Sequence, residues 1–311
     1  MQNLLIQYLD QFQIGRKQSY KNLAVYPLLS ESADTFDYLT LDEALSQDAI
    51  DVVEIDSDGS VPELKVINKS DKMILILEGE ELVGARQNRI VNTTILIAPS
   101  ATTVIPVSCV EEGRWAYTSQ KFGSEHRLML SGMRASLAED VSVSLMDSGS
   151  YQSDQHAIWR EIRQKVLRRG AFTDTLALSG IYEREAPNIK EYVDHFKFVD
   201  HQIGAVFLIN GKVVGMDCFG KAETFSKTFK KLTESYALDA IDMVDTEKKY
   251  KTSKKDAKTL LKTAANSRVE SHASVGLGTD CRLESKTLTG FALAHKEQIL
   301  HMSVFSKDED T

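Results

Sequence analysis

Cysteine is scarce: Cys109, Cys218 and Cys281 are the only three in 311 residues, far apart and odd in number. That pattern excludes a disulfide framework and a paired C-x-x-C knuckle, so reduced thiols are expected and a structural zinc is not. Basic charge is also short. The 37 Lys and Arg against 45 Asp and Glu leave a net charge of −8, which argues against general nucleic-acid binding. No apolar run approaches the ~18 residues of a bilayer span, so no membrane partner is expected. The start, MQNLLIQYLDQFQIGRK, places Asp10 before the first basic residue, Arg16, unlike a secretory leader, and a cytoplasmic location is expected. The 7 histidines include no H-E-x-x-H pair, so no metal site is expected. Internal repeats and low-complexity segments are lacking as well.

What is present is enough chain to bury roughly 75% of its unfolded surface without a staple. The length points to about two domains, with one as the alternative. Leu4, Leu5, Tyr8, Leu9 and Phe12 recur at helical spacing. Thr40 with Glu43 forms a capping box for a short helix over 41–46. Apolar runs at 23–29, 52–55, 64–67, 73–77, 89–98 and 103–110 read as strands, with Pro99-Ser100 as a turn between the last two. Pro106 lacks an N–H, so its strand is expected at an edge or bulged. Ser142 to Ser153 is the most polar stretch and reads as a junction.

Beyond it, Ile158, Ile162 and Val166 share a helix face that closes at Arg168-Arg169-Gly170. Asn188 with Glu191 predicts the start of another helix. Asn210-Gly211 between two apolar runs predicts a two-residue hairpin turn, which sets Gly204 opposite Asp217. A helix over 223–236 follows, then a helix capped by Ser253 and Asp256, and strands at 269–275, 282–285, 288–294 and 299–305. Strands first, then mixed helices and hairpins, give an α+β fold with a largely antiparallel, β-rich N-terminal half. The division is 1–148, carrying a Glu/Arg/Trp cluster, and 149–311, unless the chain is one continuous domain.

The chemistry concentrates in 77–117. Gly79 and Gly84 punctuate a strand exit near Glu80, Gln87 and Arg89, whose guanidinium can fork onto a carboxylate or phosphate. The plainer alternative is a turn carrying weak surface ion pairs. Glu111-Glu112-Gly113-Arg114-Trp115 ends an apolar strand and joins a carboxylate pair, an anion-binding Arg and a ring that can stack. Its alternative is a Glu–Arg strut beneath a packed Trp. Asp217 reads either as a further site carboxylate or as an N-cap-like group, the cap being favoured. Cys218 reads as a small buried hydrophobe. His272, near Asp280 and Arg282, is a secondary candidate, as is His301, whose strand position points it away from the core. The seven lysines from Lys248 to Lys262 read as a solvated helix face, or else as a docking face for an acidic partner.

The segments LEGEELVGARQNR, VSCVEEGRWAY, QHAIWREI, INGKVVGMDCFG, HASVGLGTDCRLE and ILHMSVF occur here in order. Jointly they resemble a family named for its association with ADP-ribosylglycohydrolases and rhodanese-phosphatase-superfamily proteins. The resemblance runs over nearly the whole chain. It implies an intracellular, mainly prokaryotic protein acting in ADP-ribose or NAD-linked metabolism. It carries over no catalytic assignment, only matching positions at Glu80, Gln87, Arg89, Glu111, Gly113, Arg114 and Trp115.

The expectation is thus an enzyme or enzyme-like protein acting on a nucleotide-derived anion, ADP-ribose first. Glu111 or Glu112 would be the acid/base with Glu80 in support, and Gln87, Arg89, Arg114 and Trp115 would bind the ligand. The alternative is a non-catalytic module that partners an ADP-ribose-processing enzyme. No cofactor is assigned.

Overall fold

The computed structural model describes residues 1–31, 36–56, 59–245, 248 and 250–307. In chain order the first elements are α1 (Gln2–Asp10), β1 (Gln13–Ile14), β2 (Gln18–Tyr20), β3 (Leu23–Leu29), β4 (Tyr38–Thr40), α2 (Leu41–Ser46), β5 (Ile50–Val53) and β6 (Glu63–Asn68). There follow β7 (Met73–Ile76), β8 (Glu80–Gly84), β9 (Arg89–Val91), β10 (Ile95–Ile97), β11 (Thr102–Cys109), β12 (Phe122–Leu128), α3 (Ser131–Ser148), α4 (Gln155–Arg169) and α5 (Leu178–Val193). The chain closes with β13 (Gln202–Ile209), β14 (Lys212–Phe219), α6 (Ala222–Asp242), α7 (Lys254–Ala265), β15 (Arg268–Ala273), β16 (Thr279–Glu284), β17 (Leu288–His295) and β18 (Gln298–Ser306).

The fold is α+β and mostly antiparallel, β4 on β7 being a parallel pair. One sheet runs β1-β3-β13-β14-β18-β17-β16-β15, with β2 also on β3. It therefore joins strands from both ends of the chain. Its alternating residues feed two cores. Met216, Met302 and Val304 pack toward α1 and α7, while Phe207 and Phe219 pack toward α6. Burial on both faces explains why these strands are apolar almost throughout. A second sheet, β12-β8-β9-β11-β6-β5, curls into a half-barrel around Val52, Leu64, Leu82, Val91 and Val107. Helices α3, α4 and α5 cover its outer side through Ile90, Leu137, Ile162 and Ile181.

Local signals formed as read at several points. Both capping boxes are present, at Thr40/Glu43 and Ser253/Asp256, and Gly170 closes α4 in the left-handed conformation. Other expectations are corrected. The run 89–98 is not one strand: β9 pairs β11, whereas β10 leaves for β7, so Pro99-Ser100 joins strands of different sheets. Pro106 is not at an edge but where β11 changes partner from β6 to β9. Ser142 to Ser148 are helical, because Ser142 and Ser148 donate back to the carbonyls of Ala138 and Ser144 at 2.7 and 2.9 Å. Asn188 starts no helix. It lies inside α5, which begins at Leu178 and runs through Pro187. The hairpin turn forms at Asn210-Gly211, but a bulge between Phe207 and Leu208 slips the register, and Gly204 faces Cys218, not Asp217.

Candidate functional site

Register builds the site. Arg89 of β9 lies opposite Cys109 of β11, and the Asn88 N–H donates to Glu111 Oε2 at 3.1 Å. The 78–89 and 111–115 segments are therefore neighbours, through strand pairing and not through a hairpin at Pro99. Beyond β11 the chain is pinned to α5: Leu178 N–H donates to Val110 O at 2.9 Å, and Gly113 N–H to Thr175 O at 3.0 Å. A Cβ on Gly113 would meet Thr175 Cα at 2.9 Å, so the chain turns there only without a side chain.

Arg89 is fully buried. Nη1 donates to Gln87 Oε1 at 3.1 Å, but among the described residues Nε and Nη2 meet no acceptor. The Cys109 thiol faces Gln87 Oε1 at 3.1 Å, and Gln87 Nε2 donates to Glu111 O at 2.8 Å. Burial lowers the Arg89 pKa from its ordinary value and raises that of Cys109. Glu54, just beyond β5, is buried beside Arg89; Oε1 accepts the Arg86 N–H at 3.3 Å and Oε2 meets no donor among the described residues. Above them, Trp115 is 44% exposed, and its ring lies 5.7 Å from the Arg89 guanidinium and 5.5 Å from that of Arg86. The Tyr117 ring also lies against Arg86, at 4.5 Å.

Arg114, Glu111, Glu112 and Glu80 have partners within the protein. Arg114 donates to Glu111 Oε2 at 2.9 and 2.6 Å, to the carbonyls of Ala85, Ala116 and Gly84, and to Asn88 Oδ1 and Thr118 Oγ1. Burial pushes the Glu111 carboxyl up, but Arg114 and the Asn88 N–H outweigh it, and the net shift is downward. Glu112 pairs with Arg163 at the surface. Glu80 is closed off against Lys231, which also pairs with Asp42 at 2.8 Å, and burial still pushes Glu80 up. Its neighbour Glu81 is fully buried, neither oxygen has a hydrogen-bond partner among the described residues, and burial raises it to about 7.

A second polar cluster lies deep between α3 and the large sheet. Arg134 Nε donates to Glu78 Oε2 at 2.9 Å, and its two Nη groups donate to Asp217 at 2.7 and 3.2 Å. Tyr236 and Ser303 also donate to Asp217, and Thr94 Oγ1 meets His301 Nδ1 at 2.8 Å. Asp217 is thus an ion-pair partner and not a helix cap; the N-cap of α6 is Lys221. His301 is buried and stacked on Phe219 at 4.4 Å, since a sheet covered on both faces has no solvent side. Burial raises Asp217, but Arg134, with His301, brings it well below the usual carboxylate range. Glu78, whose Oε1 has no partner among the described residues, is raised by burial to about 7 despite Arg134. His272 sits across from Asp280, which contacts Arg282 at 2.7 Å and accepts from Thr93 at 2.8 Å. Sequence reasoning missed Arg134, Glu54 and Ser303, which reach their partners from distant strands and helices. An arginine among the apolar positions of α3 was the one available signal for Arg134.

Among the described residues, no group of three or more His, Cys, Asp and Glu is placed to hold a metal, and no helix is long and apolar enough to cross a membrane. Neither a curated protein nor a solved structure matches the chain. A family model does match residues 11–305, nearly the whole chain, and on that basis the protein belongs to the family described as the ARG and Rhodanese-Phosphatase-superfamily-associated Protein domain.

Proposed function

We propose that the chain binds a phosphate- or carboxylate-bearing ligand between Arg89 of β9 and Trp115, with ADP-ribose and related NAD-derived phosphates the first class to test. The carrying observation is Arg89, a buried cation whose Nε and Nη2 donors meet no acceptor among the described residues. Such a charge costs several kcal/mol unless it is paired, and a phosphate or carboxylate forked onto those two groups would pair it. Trp115, 44% exposed, presents the face on which a nucleotide base or other flat ring would stack. Gln87 holds Arg89 in place.

Binding is better supported than catalysis. Glu111, Glu112 and Glu80 are each in an ion pair, which opposes free proton exchange. This favours the non-catalytic module over the enzyme. If the site does perform acid–base chemistry, Glu54 Oε2 is the carboxylate oxygen left open beside Arg89.

Thermal melts with ADP-ribose, NAD, AMP and pyrophosphate test the reading. A phosphate ligand should raise the wild-type melting temperature. Trp115→Ala should weaken binding by ~1–3 kcal/mol, the range for a lost stacking platform. Arg89→Met should abolish the response while the ligand-free protein still folds, because Met keeps much of the side-chain volume and the change removes one side-chain hydrogen bond, to Gln87. No wild-type response to any of the four would overturn the proposal.

A further inference from the structure

Helices α1 and α7 leave an open groove of about 680 Å³ between them, on the side of the large sheet away from α6. Ile6, Phe12, Leu261 and Ala265 form its floor and are only partly buried. Along one rim stand Lys254, Lys258 and Lys262, spaced so that successive turns of α7 present them on one face. All three are exposed, and none pairs with a carboxylate among the described residues. Among the described residues the groove has one acidic lining residue, Asp10. In a chain of net charge −8, three unpaired lysines beside accessible hydrophobic side chains are a local reversal of the overall charge.

We infer that this groove docks an acidic amphipathic helix of a partner protein. The floor takes the partner's apolar anchors, and the lysine rim meets its carboxylates. A free small anion would gain little here, because exposed lysines on separate turns are screened by salt and form no converging cradle. A nucleic acid would face Asp10 and too few cations. The lysine-rich segment read from the sequence thus has a use distinct from the Arg89 site. The groove is also separate from that site, so either proposal can fail alone.

The test uses two labelled peptides with the same leucine face, one bearing glutamates on its polar face and the other lysines, in fluorescence anisotropy with the full chain. The acidic peptide should bind and the basic one should not. Lys254→Glu/Lys258→Glu/Lys262→Glu should weaken the acidic peptide by about tenfold or more and admit the basic peptide, with the melting temperature unchanged because all three side chains are exposed. Equal binding of the two peptides, no binding of the acidic one, or binding insensitive to the triple reversal would overturn the inference. So would association with anionic phospholipid vesicles through the same lysines without peptide binding.

Discussion

Arg134 grips Asp217 with two hydrogen bonds, 2.7 and 3.2 Å long, where neither side chain reaches solvent. The pair ties α3 to β14, and Glu78 on the same guanidinium adds the connection between β7 and β8. Removing the cation leaves a charged Asp217 buried without its partner. Arg134→Ala should therefore lower the unfolding free energy by about 3–5 kcal/mol, the cost of breaking a buried pair. Urea denaturation checks it, and a loss below about 1 kcal/mol would mean that water or a rearrangement replaces the pair.

Two buried carboxylates, Glu78 of this cluster and Glu81 of β8, predict a pH dependence. Glu78 and Glu81 are each raised by burial from 4.5 to about 7. Below pH 4.5 the folded and unfolded chains both hold these protons. Between 4.5 and 7 the unfolded chain releases them while the folded chain does not, so stability falls as pH rises, by on the order of 3 kcal/mol for each group. Asp217 acts in the opposite sense: its contribution is present above its ordinary 3.8 and is lost in stronger acid. Glu78→Gln/Glu81→Gln should flatten the decline between pH 5 and 8 in urea melts. An equally steep decline in the variant would assign it to other groups.

Much of the fold was legible because its signals are local. The Asn210-Gly211 turn and the two capping boxes each depend on a few adjacent residues. Helix α3 was less so: Met133, Leu137, Val141 and Leu145 mark its buried face, yet its serines read as a loop until their hydroxyls are seen bonding back along the helix. The site divided in the same way. Gln87, Arg89, Glu111 and Trp115 lie close in sequence and do come together, whereas Glu54 and Arg134 arrive from other elements. Alternation could not place His301, because that rule presumes one solvated face.

The bulged hairpin yields a local prediction. A Cβ on Gly204 would stand 2.5 Å from Cys218 Cβ and 2.7 Å from Asp217 O. Neither atom can retreat without moving a central strand of the large sheet. Gly204→Ala should cost about 1–3 kcal/mol, as overpacking in a close-packed interior does. A variant melting within a degree or so of wild type would show that the strands part more easily than their pairing implies.

Arg114 separates a strut from a ligand contact. Its five N–H groups already meet Glu111, Asn88, Thr118 and three backbone carbonyls, which together hold the 84–88 turn against the end of β11. Arg114→Ala should therefore destabilise the protein by about 3 kcal/mol, through the stranded Glu111 and the freed carbonyls. Arg114→Lys should recover little of this, since an ammonium cannot fork across so many acceptors. Any response of the melt to ADP-ribose should survive in both variants, displaced to lower temperature, because Arg89 carries the anion in the proposed site. An unchanged melting temperature with the ligand response lost would reverse the assignment and make Arg114 the anion contact.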